Sequence, residues 1–283
     1  MERECLLTVL VAMLGGSAIA ACAGWPAALP ADPGARSLER ALWRRIWGPL
    51  VPAGFIAAAL CGWALAEPDP VPERVPPAVL IAAVPFFFVA ARAAVRAGWS
   101  LVRDDGDPDT VTVGLLRPWV VFSPYLARAL DDSALEAALE HERAHARNRD
   151  PLRIWLAQIA IDLQWPWPQA QSRLGQWIVA LELARDEEAR AAGVDGADLA
   201  RAILAAARMR RSHSLTPVAA LIGEKSVLEH RIARLTSPMP AAAKRIESGR
   251  RYILMLASGL LAAVGLGTIF GEAAVAALLR IAA

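Results

Sequence analysis

The predicted fold of the polar part of the chain depends on residues 131–145. They read Asp131-Asp132-Ser133-Ala134-Leu135-Glu136-Ala137-Ala138-Leu139-Glu140-His141-Glu142-Arg143-Ala144-His145. Ser133 and Glu136 have the spacing of a capping box, in which two side chains satisfy free N–H groups at a helix start. Apolar residues recur on one side of the stretch that follows. We therefore predict that a helix begins here and runs through the second histidine.

Within this helix, His141-Glu142-Arg143-Ala144-His145 is an HExxH sequence. Residues four apart lie one helical turn above each other, so the two imidazoles point the same way and one metal ion can bridge them. Glu142 projects beside them, within reach of a water at that ion but too displaced to be a ligand. The spacing predicts a Zn²⁺ site with His141 and His145 as ligands and Glu142 as the catalytic base.

A catalytic zinc ion needs a third protein ligand, because the fourth position stays open for water. The segment Ser172–Ala191 is predicted to be helical, and Glu182 borders its apolar stripe. Glu182 is therefore the predicted third ligand. Asp186 follows one turn later and is predicted to accept a hydrogen bond from the far nitrogen of a ligand histidine. Asp186 and its acidic neighbours Glu187 and Glu188 remain alternative ligands on the same helix.

The polar segment that contains this pattern, 99–251, has the size of a usual domain. It opens with a turn-forming cluster, followed by two short β-prone runs, Thr110–Val113 and Trp119–Ser123. These runs predict a small hairpin. His213 and His230 also lie in this segment, and both are interpreted as surface or packing residues, with a role in stabilising an oxyanion as the weaker alternative.

The composition indicates a membrane protein, because 56% of the 283 residues are hydrophobic and 20% are charged. A span needs about 20 apolar residues. Four runs qualify: Cys5–Trp25, Trp47–Ala66, Ala78–Ala97 and Ile253–Phe270. We therefore predict a mainly α membrane protein with four transmembrane helices, three in residues 1–98 and one in 252–283, and a cytoplasmic α+β domain between them. A cleaved signal peptide is the weaker interpretation of the first run, because Glu2, Arg3 and Glu4 make its start acidic.

Arginines in the short loops predict the orientation. Four lie between the first two runs, Arg36, Arg40, Arg44 and Arg45, whereas one, Arg74, lies between the second and third. We expect both termini outside the plasma (inner) membrane and the polar domain in the cytoplasm. Arg92 and Arg96, near one end of the third run, are predicted to reach lipid headgroups. The net charge of +2 gives no reason to expect a nucleic-acid partner.

Several segments together resemble the BlaR/MecR type of membrane zinc metallopeptidase, the beta-lactam sensor-transducers and their relatives. They are Gly114-Leu115-Leu116-Arg117-Pro118, HERAHARNRD at 141–150, ELARD at 182–186 and LEHRIARLTSP at 228–238. The resemblance implies a gluzincin-like fold in which His141, His145 and Glu182 bind zinc, Glu142 activates water and Asp186 supports the site. It also implies that the hairpin offers an edge strand to a peptide.

The chain departs from that family in one respect, because the large extracellular penicillin-binding sensor domain is lacking after the last predicted span. Direct sensing of the antibiotic is therefore not expected, although proteolysis is. Asp150 completes an HExxHxxxxD pattern that is also similar to Ste24/HtpX-like membrane quality-control proteases. The sequence thus predicts a membrane zinc endopeptidase that cleaves a cytosolic or membrane-proximal protein, such as a transcriptional repressor. A non-catalytic membrane scaffold that retains the fold is the rival hypothesis, and the substrate, trigger and oligomeric state are left open.

Overall fold

The computed structural model describes residues 34–66, 77–102, 111–164, 168–213, 218–238 and 248–281. Within these ranges the chain is almost entirely helical. The helices are α1 (Ala35–Trp47), α2 (Val51–Ala66), α3 (Pro77–Val102), α4 (Pro124–Ala129), α5 (Asp132–Arg147), α6 (Asp150–Asp162), α7 (Pro168–Ala191), α8 (Gly196–His213), α9 (Val218–Thr236) and α10 (Ser248–Ile281). A short 3-10 turn, Gly48–Leu50, joins α1 to α2.

The predicted hairpin is present, with strands β1 (Val111–Val113) and β2 (Trp119–Val121) paired antiparallel. Thr112 lies opposite Val120 in this pairing. Gly114 follows β1 with a φ of +92°, and a Cβ there would meet the ring of Trp119 at 2.6 Å. The turn therefore needs glycine at this position. The hairpin packs against α5, which carries the HExxH sequence.

The helix that carries the two histidines starts where the sequence predicts, but its cap is a different residue. The Asp131 side chain accepts a hydrogen bond from the backbone N–H of Ala134 at 2.8 Å, and Ser133 donates to Asp131. Glu136 pairs with Arg143 instead of reaching back to the helix start. The predicted capping box between Ser133 and Glu136 is therefore wrong, because an aspartate two residues earlier provides the cap.

A tight turn between α5 and α6 decides where the next acidic residue lies. Arg149 adopts a left-handed conformation with a φ of 52°, which reverses the chain within two residues of the end of α5. Non-glycine residues rarely take this conformation, and it costs about 1–2 kcal/mol. The reversal brings Asp150, at the first position of α6, back beside His145 on the preceding helix.

The main core lies between α1, α6 and α7. Ile46, Ile161, Trp177 and Leu181 are fully buried there, and small residues such as Ala157 let the helices approach. Burying one large apolar side chain contributes about 1.5–3 kcal/mol. This core fixes α7 against α1 and α6, and α7 carries the remaining predicted site residues.

The prediction of four transmembrane helices beside a cytoplasmic α+β domain is wrong for the described part of the chain. Strand is limited there to two three-residue segments. Among the described residues one helical stretch, Ala35–Trp63, is long and apolar enough to cross a membrane, judged by length and composition. The apolar part of α10 is shorter, Leu254–Phe270. The first predicted span, Cys5–Trp25, lies outside the described residues.

The third predicted span corresponds to α3, whose two arginines do not behave as expected. Arg92 Nη1 lies 3.1 Å from Asp162 Oδ1, and Arg96 Nε lies 3.2 Å from Asp162 Oδ2. Asp162 is buried at the end of α6. The arginines therefore join α3 to α6, since a buried carboxylate needs a cationic partner, and their contact with headgroups stays a prediction. The proposed domain boundaries at 98 and 251 stay a prediction.

Two helices distant in sequence, α2 and α10, pack closely through glycines. A Cβ on Gly62 would lie 2.1 Å from the carbonyl oxygen of Val264, and one on Gly267 would lie 1.7 Å from that of Ala59. Such distances are impossible for any larger residue, so the backbones touch because both positions are glycine. Large apolar side chains of the same helices remain exposed, among them Leu65, Leu261 and Ile269.

Candidate metal centre

The two histidines of the HExxH sequence lie side by side on α5. Their Nε2 atoms are 3.1 Å apart, and the rings meet edge to face with centroids 4.8 Å apart. Both side chains are nearly enclosed, with residue exposures of 7% for His141 and 8% for His145. The one-turn spacing of the sequence therefore produces two nitrogens that converge on one point.

Glu182 reaches the same point from α7. Its Oε2 lies 3.5 Å from Nε2 of His141, and its Oε1 lies 3.6 Å from Nε2 of His145. His141, His145 and Glu182 each offer one ligand atom, and these atoms lie within 4.8 Å of one another, so the group could hold a metal ion. The group combines two histidines of α5 with a glutamate about forty positions later on α7. Helix periodicity alone does not bring such distant residues together.

The alternative ligands on α7 are engaged elsewhere. Both carboxylate oxygens of Glu187 accept a hydrogen bond from the backbone N–H of Ala35, each at 3.1 Å. Glu188 pairs with Arg36 at 2.8 Å and with Arg147 at 3.2 Å. These two acids anchor α1 and the end of α5. Both acids make structural contacts, and neither belongs to the group formed by His141, His145 and Glu182.

A carboxylate lies behind each histidine. Asp150 Oδ2 is 2.9 Å from Nδ1 of His145 in a buried hydrogen bond. Asp186 Oδ1 is 3.0 Å from Nδ1 of His141, although the two are not aligned as a hydrogen bond. A carboxylate at Nδ1 favours a proton there, which leaves Nε2 free to bind a metal. Asp186 therefore lies beside the far nitrogen of His141 without forming the predicted hydrogen bond, whereas Asp150 forms such a bond with His145.

The donor set suits zinc. Zinc binds histidine nitrogen and carboxylate oxygen at about 2.0–2.2 Å in a tetrahedron, which puts neighbouring ligand atoms about 3.3–3.6 Å apart. Glu182 Oε2 lies 3.5 Å from Nε2 of His141 and its other oxygen, Oε1, lies 3.6 Å from Nε2 of His145, which is close to that range, whereas the two Nε2 atoms are somewhat closer together, at 3.1 Å. Two imidazoles and one carboxylate are also a set that catalytic zinc sites use. The residues present therefore fit a zinc ion with one position left for water.

The electrostatics of the cluster favour positive charge at its centre. Burial lowers the pKa of His141, but the neighbouring carboxylates of Asp186 and Glu182 outweigh this effect and raise it to about 9. Burial raises the pKa of Glu182, yet the charge of Arg231 and the contacts with the histidines hold it well below its usual range. Ionised Glu182 and Asp186 together attract a cation, whether a proton or a metal ion.

Arg231 on α9 is a site residue that the sequence interpretation did not assign. Its Nη1 lies 3.0 Å from Glu182 Oε2, and its Nε and Nη2 donate to the two oxygens of Asp186 at 2.8 and 2.7 Å. The segment LEHRIARLTSP at 228–238 contains Arg231, and the neighbouring His230 is exposed. The side chain of His213 lies outside the described residues. A bidentate pairing of this kind is specific to arginine, and it holds both acids of α7.

A buried ionic network supports the other histidine. Arg185 donates to both oxygens of Asp150, from Nε at 2.5 Å and from Nη2 at 3.0 Å. Arg153 donates to Asp150 at 3.0 Å and also pairs with Glu39 of α1. Asp150 and Arg185 are almost completely buried. Because buried charges need partners, this network keeps Asp150 ionised and fixed against His145, and its pKa is lowered even though burial acts in the opposite direction.

A cleft of about 510 Å³ opens over the cluster. The side chains of His141, Glu142, His145 and Glu182 line it together with Thr112 of β1. Most of the remaining lining is apolar: Leu126, Leu199 and Ile203 from α4 and α8, and Pro151, Ile154 and Ile178 from α6 and α7. A few polar groups at the bottom of a largely apolar cleft is the usual form of a binding site for a small molecule or peptide side chain.

Comparison with known proteins leaves the chain without a neighbour. No family model, no curated protein and no solved structure matches it.

Proposed function

We propose that the chain is a membrane-associated zinc endopeptidase, similar in its site to the BlaR/MecR type, that cleaves a cytosolic or membrane-proximal protein. The observation that carries this proposal is the convergence of His141, His145 and Glu182 within 4.8 Å beneath a cleft that Glu142 also lines. Hydrolysis of a peptide bond needs a water nucleophile, a base for its proton and stabilisation of the developing negative charge. In this proposal a metal ion held by the cluster would bind the water and stabilise the negative charge, and Glu142 would be the base.

Each residue has a separate task in this proposal. His141, His145 and Glu182 hold the metal, and Asp150 and Asp186 orient the two rings from behind. A zinc ion held in this way acts as a Lewis acid toward a carbonyl and lowers the pKa of water. Glu142 faces the cleft beside the histidines, takes the proton of the attacking water and passes it to the leaving amine. The apolar walls of the cleft exclude bulk water and accept a side chain of the substrate.

Association with a lipid bilayer is supported by the apolar helices. Large side chains of α3 and α10, including Phe87, Phe88 and Met255, are more than half exposed, and the stretch Ala35–Trp63 has the length and composition to enter a membrane. Exposed apolar surface on this scale is rare in proteins that meet only water. A membrane position would restrict the substrates to proteins close to the bilayer, of which a transcriptional repressor is one proposed class.

The proposal is tested by separating metal binding from cleavage. The full chain is purified in detergent, its zinc content is measured, and cleavage of a quenched peptide library is followed for the wild type and for Glu142→Gln. We expect one zinc per chain in both proteins and cleavage in the wild type alone. Glu136→Gln, the same change at an exposed position of the same helix, is the matched control and should retain both properties.

Two results would contradict the proposal. A chain that binds no zinc would remove the metal centre, and full cleavage by Glu142→Gln would remove the assigned base. Zinc binding without cleavage of any peptide would favour the non-catalytic scaffold. In cells, a comparison of protein fragments between the wild type and Glu142→Gln would then identify the intact protein that accumulates, and with it the substrate.

A further inference from the structure

The hairpin contacts the HExxH helix through one hydroxyl group. Thr112 Oγ1 lies 2.9 Å from Oε2 of Glu142 and 3.0 Å from the main-chain oxygen of the same residue. Both distances are within hydrogen-bond range, and a hydroxyl has a single proton to donate. The carboxylate is the stronger acceptor of the two, because it is charged, whereas a carbonyl inside a helix is already bonded within its own ladder. Thr112 therefore donates to the side chain of Glu142.

This contact restrains a side chain whose charge also interacts with that of Arg231. Among the residues that the structure describes, Thr112 provides the hydrogen bond made to the Glu142 carboxylate. A glutamate side chain has three rotatable bonds, and fixing the whole side chain in one conformation costs up to about 2 kcal/mol in side-chain entropy. A base must lie within about 2.6–3.2 Å of the proton that it takes, so an unrestrained carboxylate would spend much of its time in unproductive positions.

The location of Thr112 makes it a defined anchor. It is the central residue of β1, paired with Val120 across the hairpin, and the hairpin packs on α5. Thr112 also lines the cleft beside Glu142. Its β-branched side chain is stiff, so the hydroxyl has few alternative orientations. A strand residue with a restricted rotamer is better suited to hold a neighbouring carboxylate than a residue in a loop.

We propose that Thr112 is a positioning residue, whose hydroxyl holds the carboxylate of Glu142 in the cleft beside the metal ligands. The inference rests on the proposed function, because Glu142 acts as a base only if the chain is a hydrolase. A purely structural role is the competing explanation, since the same hydroxyl lies close to the main-chain oxygen of Glu142 and joins the hairpin to the helix. The two roles differ in what a substitution should change.

The experiment compares Thr112→Val, which keeps the shape and removes the hydroxyl, with Thr112→Ser, which keeps the hydroxyl. Both are made in the zinc-loaded full chain and assayed on the peptide that the wild type cleaves best. We expect Thr112→Val to lower kcat by about 10- to 100-fold with KM within twofold, because the base contributes about 10²–10⁴-fold. Thr112→Ser should stay within about threefold of the wild type. Thr236→Val, at an exposed threonine that bonds its own helix, is the matched control.

Two further measurements separate positioning from structure. Zinc content and melting temperature should be unchanged in Thr112→Ser and nearly so in Thr112→Val. Equal loss of kcat in the Val and Ser variants would overturn the inference. So would a loss confined to KM.

The position of the Glu142 carboxylate can also be measured directly, without an assay of cleavage. A crystal structure of zinc-loaded Thr112→Val should show the Glu142 carboxylate displaced from its wild-type position, while His141 and His145 stay in place. An unmoved carboxylate would refute the positioning role even if the wild type cleaved no peptide. Absence of cleavage by the wild type, in contrast, would refute the proposed function and leave the displacement to decide whether Thr112 holds Glu142.

Discussion

Arg231 Nη1 lies 3.0 Å from Oε2 of Glu182, the same oxygen that lies 3.5 Å from Nε2 of His141. One arginine therefore shares a glutamate with the candidate metal centre and at the same time pairs with Asp186 through two nitrogens. This arrangement leads to a first prediction about stability.

Arg231→Met should lower the free energy of unfolding by about 3–5 kcal/mol, because the buried carboxylate of Asp186 and the partly buried one of Glu182 would lose their shared counter-ion. Arg234→Met provides the control, since Arg234 lies one turn away on α9, pairs with Glu187 and is one-third exposed. Thermal unfolding in detergent measures both. Equal melting temperatures for the two variants would show that the pairing of Arg231 contributes no special stability.

Asp150→Asn should weaken zinc binding by about 10- to 100-fold, because the amide no longer accepts a charge-assisted hydrogen bond that fixes the ring of His145. The same change leaves Arg185 and Arg153 around an uncharged group, so the variant should also be less stable. Zinc affinity is measured by competition with a chromophoric chelator. Asp195→Asn, at a helix start away from the cluster, serves for comparison, and wild-type affinity in Asp150→Asn would contradict the role given to the carboxylate.

The lowered pKa of Glu188 leads to a prediction that the stability of the protein depends on pH. Burial raises the pKa of Glu188, but hydrogen bonds from Arg36 and Asn148 outweigh this effect and lower it below the ordinary value. A carboxyl with a lower pKa in the folded state than in the unfolded state stabilises the fold at neutral pH. That contribution is present above the unfolded pKa and is lost as pH falls through the folded pKa.

Glu188→Gln should therefore be less stable than the wild type at pH 7, and the difference between them should shrink as pH falls below about 5. Melting temperatures between pH 7 and the acid limit of solubility provide the measurement. Glu136→Gln, which removes one negative charge from an exposed position, corrects for the change in net charge. A gap between Glu188→Gln and the wild type that stayed constant at all pH values would mean that the ion pairs of Glu188 do not contribute.

Gly267→Ala should lower stability by about 1–3 kcal/mol, because the added Cβ would lie 1.7 Å from the carbonyl oxygen of Ala59 and force α10 away from α2. Gly265→Ala is a control within the same helix, since nothing lies within 4 Å of a Cβ at that position. Alanine has the higher helix propensity, so this control should be neutral or more stable by up to about 1 kcal/mol. Similar melting temperatures for the two variants would show that α2 and α10 do not pack as described.

The local part of the site was predictable because helix geometry alone determines it. Residues four apart are neighbours on a helix surface, so the proximity of His141 and His145 follows from the sequence. The apolar stripe on α7 indicated which face of that helix Glu182 borders. The contacts of Thr112 and Arg231 were not predictable in this way. They depend on how the hairpin and α9 pack against α5 and α7, which is tertiary information that periodicity does not contain.

The prediction of four transmembrane helices failed for a similar reason. A hydropathy pattern records how apolar a run of residues is, but it does not show with which residues the charged side chains of that run form ion pairs. Arg92 and Arg96 looked suited to lipid headgroups, whereas the structure pairs both with Asp162. The predicted α+β domain was likewise drawn from two short runs that form six residues of strand within an otherwise helical body.

The pairing of Glu39 with Arg153 has a practical consequence for dissecting the protein. Arg153 also binds Asp150, which in turn holds His145, so α1 shares a network with a candidate metal ligand. A fragment cut after the apolar helices to improve handling would discard Glu39 and expose the face of Trp177 that α1 covers. Biochemical work on this protein therefore has to keep α1, even where its purpose is only to study metal binding.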